Sequence, residues 1–391
     1  MRVDVVILGA GAAGLFCAAE AGRRGRRVLV IEHGAAVAEK VRISGGGRCN
    51  FTNLGIAPDR FLGRNPRFAI SALRRFTARD FVARVDAAGI AWHEKTLGQL
   101  FCDGSAMQIV DMLRADAERA GATLWTGASF GDIRKEKHGF AVETSRGMVE
   151  AGRVVVATGG KSIPKMGATG AGYDIARAFG VPVIEPRPGL VPLTFAEQEL
   201  EWLRPLAGVS VTGNVKAGRQ GFDEALLFTH RGLSGPAVLQ ASSYWLPGMA
   251  VTVDLCRGLN IGAHLRAARA QSGRMAIRTA LAQLMPERLA RVIEERADLT
   301  GNLADQPNAT LDRIAAQVHE MQLKPVGTEG YRTAEVTLGG IDTDALDART
   351  METRATPGLY FIGEVVDVTG WLGGYNFQWA WSSAWVTGQA V

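Results

Sequence analysis

The feature that most constrains this chain is a glycine-rich turn that directly follows an apolar segment near the N-terminus. Residues 3–8 (VDVVIL) have the length and apolar character of a parallel strand that is covered on both faces. Glycines follow at positions 9, 11 and 14, a helical pattern runs to about residue 25, and a second apolar strand covers residues 28–31. This is the GxGxxG fingerprint in its required strand–turn–helix context, so we predict a Rossmann-like dinucleotide-binding unit.

The glycines and the acid after the second strand have separate physical roles. Gly9 permits the tight turn, Gly11 lets the backbone approach a pyrophosphate, and Gly14 allows close packing of the helix. Free N–H groups at the helix N-terminus stabilise the phosphates, and Glu32 is placed to accept hydrogen bonds from the adenosine ribose. The unit supplies these predicted cofactor-binding residues: Gly9, Ala10, Gly11, Ala12, Ala13, Gly14, Glu32 and His33.

Composition and charge exclude several classes of protein. The 391 residues are 47% hydrophobic and 21% charged, values typical of a folded globular protein and not of disordered, collagen-like or coiled-coil chains. The formal charge of +5 is carried by scattered arginines, which implies only a weak attraction to anions. The densest basic cluster, at residues 23–27, is interpreted as a helix end whose cations complement the helix dipole. We therefore expect no nucleic-acid partner.

Cysteine spacing and hydropathy indicate whether the chain binds metal, contains disulfides or crosses a membrane. The four cysteines are far apart, with no CxxC and no His/Cys spacing suited to zinc, so we predict no metal site and a reduced, cytoplasmic protein. No stretch reaches the roughly 18 apolar residues that a membrane-spanning helix needs. We expect a soluble protein without a membrane partner, and the sequence leaves its oligomeric state open.

Two later segments favour FAD over NAD as the dinucleotide. Residues 154–160 (VVVATGG) resemble the strand and ATG turn of flavoproteins with this fold. Residues 359–364 (LYFIGE) resemble their later apolar–apolar–Gly–Asp element, whose acid holds the ribityl chain, and here Glu364 replaces the aspartate. A flavin-free NAD-dependent dehydrogenase is the alternative, and this C-terminal segment disfavours it.

The most specific stretch is residues 40–53 (KVRISGGGRCNFTN). It resembles the bacterial NAD(P)/FAD-dependent oxidoreductases of the BaiN/RdsA type, also described as aminoacetone-oxidase-like, whose hallmark is a lysine followed by SGGGRCNxTN. Further family segments follow over the whole chain: GATGAGY at 167–173, FTHRGLSGP at 228–236, VTLGGI at 336–341 and GGYNFQ at 373–378. Ala171 departs from the pattern, because the family usually has an aspartate there.

The resemblance implies an α/β fold of the two-dinucleotide-binding-domain flavoprotein type. A Rossmann-like FAD-binding domain is expected at residues 1–190 and 336–391, with an inserted substrate-side domain at residues 191–335 that is β-barrel-like and has a helical part at about 260–325. The cofactor-binding residues that the resemblance carries over are Lys40, Ser44, Gly45, Gly46, Gly47, Arg48, Cys49, Asn50, Phe130, Ala157, Thr158, Gly159, Gly160, Gly363, Glu364, Gly373, Gly374, Tyr375, Asn376 and Phe377.

Two of these segments also have a physical basis in their glycines. Three consecutive glycines at 45–47 let the main chain press against a flat or anionic ligand without Cβ clashes, and Arg48 adds a cation. A helix predicted at residues 375–387 begins directly after Gly373 and Gly374. Flavoproteins of this kind aim such a helix at the flavin pyrimidine edge, where its N–H groups stabilise negative charge.

We expect an FAD-dependent oxidoreductase that transfers hydride through flavin N5 to or from a small organic substrate, with NAD(P)H as a candidate transient electron donor. His230 is the first candidate proton donor, with a packed or capping histidine as the structural alternative. Cys49 and Tyr375 are the other catalytic candidates, and Cys49 is explained as well by simple packing. The alternative function is a flavin-bearing redox sensor or a nucleic-acid-associated flavoprotein without metabolic turnover.

Overall fold

The computed structural model describes all residues of the chain, 1–391. The helices are α1 (Ala12–Arg23), α2 (Glu39–Gly47), α3 (Ala69–Arg75), α4 (Ala78–Ala87), α5 (Met107–Arg119), α6 (Ala171–Ala178), α7 (Glu197–Leu203), α8 (Pro236–Ser242), α9 (Ile261–Gln271), α10 (Ile277–Leu281), α11 (Glu287–Arg296), α12 (Asn308–His319) and α13 (Tyr375–Ala390). None of them combines the length and the apolar character that crossing a membrane requires.

The strands alternate with these helices along the chain. They are β1 (Arg2–Leu8), β2 (Val28–Ile31), β3 (Asn50–Asn53), β4 (Phe61–Leu62), β5 (Trp92–Glu94), β6 (Gln99–Cys102), β7 (Thr123–Trp125), β8 (Phe130–Glu136), β9 (Gly139–Thr144), β10 (Val149–Val156), β11 (Val183–Gly189), β12 (Leu193–Thr194), β13 (Ser210–Ala217), β14 (Gln220–Thr229), β15 (Gly232–Ser234), β16 (Val251–Asp254), β17 (Met321–Leu323), β18 (Gly327–Thr328), β19 (Val336–Ile341), β20 (Leu359–Phe361) and β21 (Thr369–Gly370).

The chain divides into two units. Unit 1 consists of Met1–Arg187 and Val336–Val391, and unit 2 consists of Pro188–Glu335. Unit 2 is thus inserted into the sequence of unit 1. The assignment of the cofactor to the first unit and of the substrate to the second stays a prediction.

A seven-stranded sheet organises unit 1. Its order is β7-β2-β1-β10-β9-β8, and β20 pairs with β10 beside β9. On the side away from β1, strand β10 has two neighbours, because its first half pairs antiparallel with β9 and its second half pairs parallel with β20. The strands β7, β2, β1, β10 and β20 are all parallel, so their carboxyl ends lie at one edge of the sheet. The predicted glycine turn, ATG turn and Gly363-Glu364 segment therefore meet at that edge.

Helix α13 lies in the core of unit 1 and accounts for most of the C-terminal tryptophans. Trp381 is fully buried, stacks on Phe81 with ring centroids 4.3 Å apart, and donates its Nε1–H to the Phe51 carbonyl at 2.8 Å. Trp379 is also buried and donates to the Gly363 carbonyl at 3.0 Å. Satisfied indole N–H groups in an apolar core are the arrangement expected of structural tryptophans.

Unit 2 combines an antiparallel sheet with a helical part. The sheet has seven strands in the order β17-β16-β13-β14-β15-β12-β18, and helices α9 to α12 cover residues 261–319. Helix α12 ends at His319, and Met321–Leu323 pair with β16 as a strand.

The residues between β7 and β8 lie outside the sheet of unit 1. The chain leaves the sheet after Trp125, since Gly127 adopts a left-handed φ of 60° and the N–H groups of Gly127 and Ala128 donate to the carbonyls of Gly34 and Glu32. Phe130 therefore begins a separate strand, β8, with its side chain half-buried against the core of unit 1.

Candidate active site

The turn between β1 and α1 is crowded at two of its glycines and open at the third. A Cβ on Gly9, whose φ is 101°, would lie 2.6 Å from the Ala157 carbonyl oxygen, and a Cβ on Gly14 would collide with the carbonyl oxygen of Gly9. No heavy atom lies within 4 Å of a Cβ built on Gly11. Packing explains Gly9 and Gly14, whereas the space beside Gly11 fits a ligand that approaches the backbone.

Glu32 reaches back from the end of β2 to this turn. Its Oε2 accepts the Ala10 N–H at 2.8 Å, its Oε1 accepts the Gly34 N–H at 2.8 Å, and the half-exposed His33 places Nδ1 3.1 Å from Oε1. Oε2 has one further acceptor position. The carboxylate is thus oriented beside the helix N-terminus with capacity left for a ribose hydroxyl.

The ATG turn after β10 contains a buried hydroxyl without a partner. Thr158 Oγ1 is inaccessible to solvent and forms no hydrogen bond within the chain. Buried polar atoms nearly always have a partner, so this hydroxyl is available to a bound group. Next to it, Gly160 has no room for a side chain, because a Cβ there would overlap Thr337 Oγ1.

Four segments far apart in sequence meet at Glu364. Its Oε2 accepts Lys40 Nζ at 2.9 Å, and its Oε1 accepts Ser162 Oγ at 3.0 Å and the Thr337 N–H at 3.0 Å. Lys40 Nζ also donates to Ser162 Oγ at 2.6 Å. The glutamate predicted to hold the ribityl chain is therefore mainly engaged by protein groups, which leaves one acceptor position on Oε2.

The pKa of Glu364 is lowered despite its burial. Desolvation acts to raise this pKa, but the Lys40 ammonium group and the hydrogen bonds from Lys40, Ser162 and Thr337 together outweigh it. Glu364 is consequently ionised at neutral pH. The lysine of the SGGGRCNxTN hallmark has a clear structural role as its counter-ion.

The triple-glycine segment ends helix α2 in a left-handed turn. Gly45, Gly46 and Gly47 have φ values of 57°, 67° and 82°. A Cβ on Gly45 would lie 2.7 Å from the Phe101 ring, whereas nothing lies within 4 Å of a Cβ on Gly46 or Gly47. The segment thus packs at its first glycine and exposes open backbone at the next two, beside the exposed Arg48. Ser44 Oγ donates back to the Val41 carbonyl at 2.8 Å.

Cys49 is a packed residue in this structure. It is fully buried, and burial raises the pKa of its thiol to about 12, with a smaller opposing effect of a hydrogen bond with Ser44. A thiol with that pKa is protonated at neutral pH and is a poor nucleophile. Asn50, the next residue, is also buried, and its amide lies beside Gln99.

The remainder of the hallmark supports the N-terminus of α13. Asn53 Nδ2 donates to the Gly373 carbonyl at 2.8 Å, and Thr52 Oγ1 donates to Gln378 Oε1 at 2.6 Å. A Cβ on Gly374 would overlap the Thr52 carbonyl oxygen. Thr52, Asn53 and Gln378 were not predicted as site residues, although the TN pair of the hallmark was a signal for the first two.

The first turn of α13 is also tied to nearby loops. The Asn376 side chain accepts the Gly370 N–H through Oδ1 and donates to the Gly370 carbonyl through Nδ2, both at 2.9 Å. The Tyr375 hydroxyl accepts Arg60 Nη1 at 2.6 Å, and the Arg60 guanidinium lies 5.3 Å from the centre of the half-buried Trp371 ring. Phe377 stacks on Trp381 with centroids 5.8 Å apart. Asn376 and Phe377 thus hold the helix, and Arg60 is a neighbour that sequence reasoning missed.

His230 belongs to unit 2 and lies in the turn between β14 and β15. Its side chain is exposed. The residues that follow are structural: Gly235, with a φ of 90°, is the N-cap of α8, and Pro236 is its first residue. The cofactor residues discussed above all belong to unit 1.

Comparison with known proteins also indicates a protein with a Rossmann domain. A family model described as "HI0933-like protein Rossmann domain" matches residues 3–390. The ribosomal RNA dihydrouridine synthase of Escherichia coli (strain K12) is 50% identical over 390 residues, which cover 99% of this chain and 98% of that protein. The protein of the same name from Haemophilus influenzae (strain ATCC 51907 / DSM 11121 / KW20 / Rd) is 44% identical over 397 residues and covers the same shares.

A solved structure shows the same fold at low sequence identity. The 3-ketosteroid-Δ4-(5α)-dehydrogenase from Rhodococcus jostii RHA1 superposes with a TM-score of 0.50 at 14% identity, covering 99% of this chain and 97% of that one. The fold and site thus define an FAD-dependent oxidoreductase of the Rossmann type. The chain belongs to the HI0933-like family of FAD-binding Rossmann proteins, which is the BaiN/RdsA type.

These relatives correct one prediction about partners. We expected no nucleic-acid partner, and that expectation is wrong, because both close relatives are named for action on ribosomal RNA. The error came from averaging charge over the chain. Unit 2 contains as many Asp and Glu as Lys and Arg, so the whole formal charge of +5 lies in unit 1.

Substitutions at Gly11 and Gly14 should separate cofactor binding from folding. Gly11→Ala places its methyl group in open space at an ordinary φ of −77°, so stability should be unchanged or raised by up to about 1 kcal/mol. The same methyl group blocks close approach of a pyrophosphate, and FAD affinity should fall at least about tenfold in a fluorescence titration. Gly14→Ala should instead cost about 1–3 kcal/mol of stability by overpacking. Equal FAD affinity for Gly11→Ala and the wild type would contradict this assignment.

The Lys40–Glu364 pair should make stability depend on pH. Because the pKa of Glu364 is lowered from 4.5 by folding, its stabilisation is present above about pH 4.5 and is lost as the pH falls below that value. Glu364→Gln should remove this part of the acid sensitivity in urea denaturation. Lys40→Met should cost about 1–3 kcal/mol at pH 7, since it leaves a buried carboxylate without its cation. The control is Lys137→Met in the exposed β8–β9 turn; the account fails if both lysine variants are equally stable.

Proposed function

We propose that this protein is an FAD-dependent enzyme that reduces a uridine of ribosomal RNA to dihydrouridine. The observation that carries the proposal is 50% identity over 99% of the chain to a ribosomal RNA dihydrouridine synthase. The free hydrogen-bond acceptor positions and the open glycine backbone of the site in unit 1 support the proposal, since they suit a flavin dinucleotide. This proposal replaces the small organic substrate that we expected from the sequence.

The proposed reaction adds one hydrogen to each carbon of the C5=C6 bond of uracil, so the base takes up two electrons and two protons. When bound, FAD supplies the two-electron reducing chemistry, and we assign NADH or NADPH as the source of the electrons. The chain must therefore hold the dinucleotide, exclude water from the reacting edge, and deliver a proton to the base.

We assign the binding of FAD to the open backbone and the oriented side chains of unit 1. The α1 N-terminus beside Gly11 would hold the pyrophosphate, and Glu32 would hold the adenosine ribose. Thr158 Oγ1 suits a ribityl hydroxyl or a phosphate oxygen, and the free acceptor position of Glu364 suits a ribityl hydroxyl. The backbone at Gly46 and Gly47 and the first N–H groups of α13 are assigned to the flavin ring.

His230 is our proposed proton donor for the uracil ring. Histidine is the side chain most often used for proton transfer near neutral pH, and this one is exposed on a tight turn. Burial and the raised pKa of its thiol argue against Cys49 in that role. The Tyr375 hydroxyl is held by Arg60 and the Gly55 carbonyl, so we assign it to positioning of the α13 N-terminus.

Deleting the gene should remove one kind of modified nucleoside from ribosomal RNA. Digested rRNA from the deletion strain, analysed by mass spectrometry, should lose dihydrouridine, and the plasmid-borne wild-type gene should restore it. Plasmid-borne Gly11→Ala should restore less, because its protein folds but binds FAD weakly. An unchanged dihydrouridine content of rRNA in the deletion strain would exclude the proposed function.

His230→Gln should lower kcat for rRNA reduction by about 100-fold or more, the usual effect of removing a general acid. FAD affinity should stay unchanged, because the residues assigned to FAD belong to unit 1. His138→Gln in the exposed β8–β9 turn is the matched control, and equal kcat values for the two variants would remove His230 from the mechanism.

A further inference from the structure

A surface cavity of unit 1 lies at the opposite end of α13 from Gly373 and Gly374. Helix α3, the last turn of α13 and residues 349–350 enclose about 470 Å³ there. Its lining includes Arg75, Arg349 and Gln389. Helix α13 begins at Tyr375 and lines the cavity with Val386, Gln389 and Ala390, so at about 1.5 Å per residue the cavity lies roughly 20 Å from the end of α13 that we assign to the flavin. None of the predicted cofactor residues lines it.

Arg75 and Arg349 line this cavity, and Arg24 bonds its lining residue Gln389. None of the three arginines forms an ion pair with a carboxylate side chain. Arg75 Nη1 donates to the Arg349 carbonyl at 2.6 Å, and Arg24 Nη1 donates to Gln389 Oε1 at 3.3 Å. Both acceptors are neutral, and the Arg349 guanidinium forms no ion pair within the chain. All three side chains are exposed. Their charges are therefore available to an external anion.

Two other arginines of the basic cluster at residues 23–27 are paired with carboxylates. Arg23, next to Arg24 on α1, contacts Glu20 at 2.6 Å, and Arg27 contacts Asp4 at 2.9 Å. Glu20 reaches the cavity rim through Gln389 Nε2 at 3.0 Å, but it is already engaged by Arg23 and by Arg84 at 2.7 Å. The basic cluster at residues 23–27 thus contains two ion-paired arginines, Arg26, whose Nε donates to the Val391 carbonyl at 2.9 Å, and Arg24, which bonds a neutral amide of the cavity.

We propose that this cavity, which we name the arginine cavity (Arg24, Arg75, Arg349 and Gln389), binds phosphate groups of the RNA backbone. The inference rests on the proposed function, because it takes ribosomal RNA as the substrate. Guanidinium groups match phosphate oxygens in pairs of parallel hydrogen bonds, and the Gln389 amide adds a neutral polar partner. A contact roughly 20 Å from the α13 end that we assign to the flavin requires a long substrate, which an RNA strand is and a free nucleotide is not.

A purely structural role for these arginines would give a different result when they are substituted. Cations near the ends of α1 and α3 also complement the negative ends of those helix dipoles, and Arg75 lies over the Trp385 ring at 5.3 Å. That role predicts a loss of stability and no change in RNA binding. Arg349 is the most informative residue, because it lies in a turn outside any helix and its guanidinium supports no neighbour.

The test compares RNA binding by two double variants of equal net charge. Arg75→Gln/Arg349→Gln removes two charges from the cavity, and Arg114→Gln/Arg177→Gln removes two exposed charges that are paired with Asp111 and Asp174. FAD-loaded proteins are titrated against rRNA purified from the deletion strain, from about 50 to about 200 mM salt. Arg349→Gln alone is included because it removes no intramolecular side-chain contact.

The cavity variant should bind rRNA at least about tenfold more weakly than the control. The slope of its log K against log salt concentration should be shallower by about 1.4–1.8, because two phosphate contacts are lost. Arg349→Gln should show about half of that change in slope. KM for rRNA should rise while kcat at saturating RNA stays unchanged. Equal weakening by both double variants would overturn the inference, because net charge alone would then explain it.

Failure of the proposed function is visible separately in the same samples. Wild-type protein that binds rRNA without forming dihydrouridine would contradict the proposed reaction, while a difference in salt slope between the two double variants would still support the arginine cavity. Wild-type protein without measurable affinity for rRNA would overturn both proposals. Circular dichroism of every variant separates these outcomes from unfolding.

Discussion

Close packing between two backbone turns determines where the rest of unit 1 can lie. Gly9 leaves no space for a Cβ against the Ala157 carbonyl, and Gly14 leaves none against Gly9 itself. Parallel pairing of β1, β10 and β20 brings these turns and Gly363 to one sheet edge. Only Gly11 faces open space, so the same contact that closes the fold also defines where a pyrophosphate can approach.

A second constraint joins the sheet edge to the triple-glycine segment. Lys40 precedes that segment and forms an ion pair with Glu364 across 324 positions of sequence, while Ser162 and Thr337 complete the shell around the carboxylate. Farther along the hallmark, Thr52 and Asn53 hold the beginning of α13. The hallmark segment, residues 40–53, therefore forms hydrogen bonds with two distant parts of the chain, the Gly363-Glu364 segment and the C-terminal helix α13.

The sequence predicted those parts of the structure that depend on local pattern. The family, the Rossmann-like fold and the FAD-dependent class are confirmed, because glycine spacing and strand-length apolar runs lie within short windows. The Lys40–Glu364 pair and the Arg60–Tyr375 contact depend on tertiary packing between distant segments, which periodicity does not report. The nucleic-acid prediction was wrong because a whole-chain charge hides the difference between a neutral unit 2 and a positive unit 1. The roles of individual site residues stay predictions.

The central claim is that this flavin site reduces uridine within ribosomal RNA. The most direct measurement is reconstitution: purified FAD-loaded protein, rRNA from a strain that lacks the gene, and NADH or NADPH under anaerobic conditions, followed by mass spectrometry of the nucleosides. The account predicts dihydrouridine in the rRNA that requires both FAD and a reduced nicotinamide, with none formed on free uridine. Reduced flavin and bound rRNA without any dihydrouridine would contradict it.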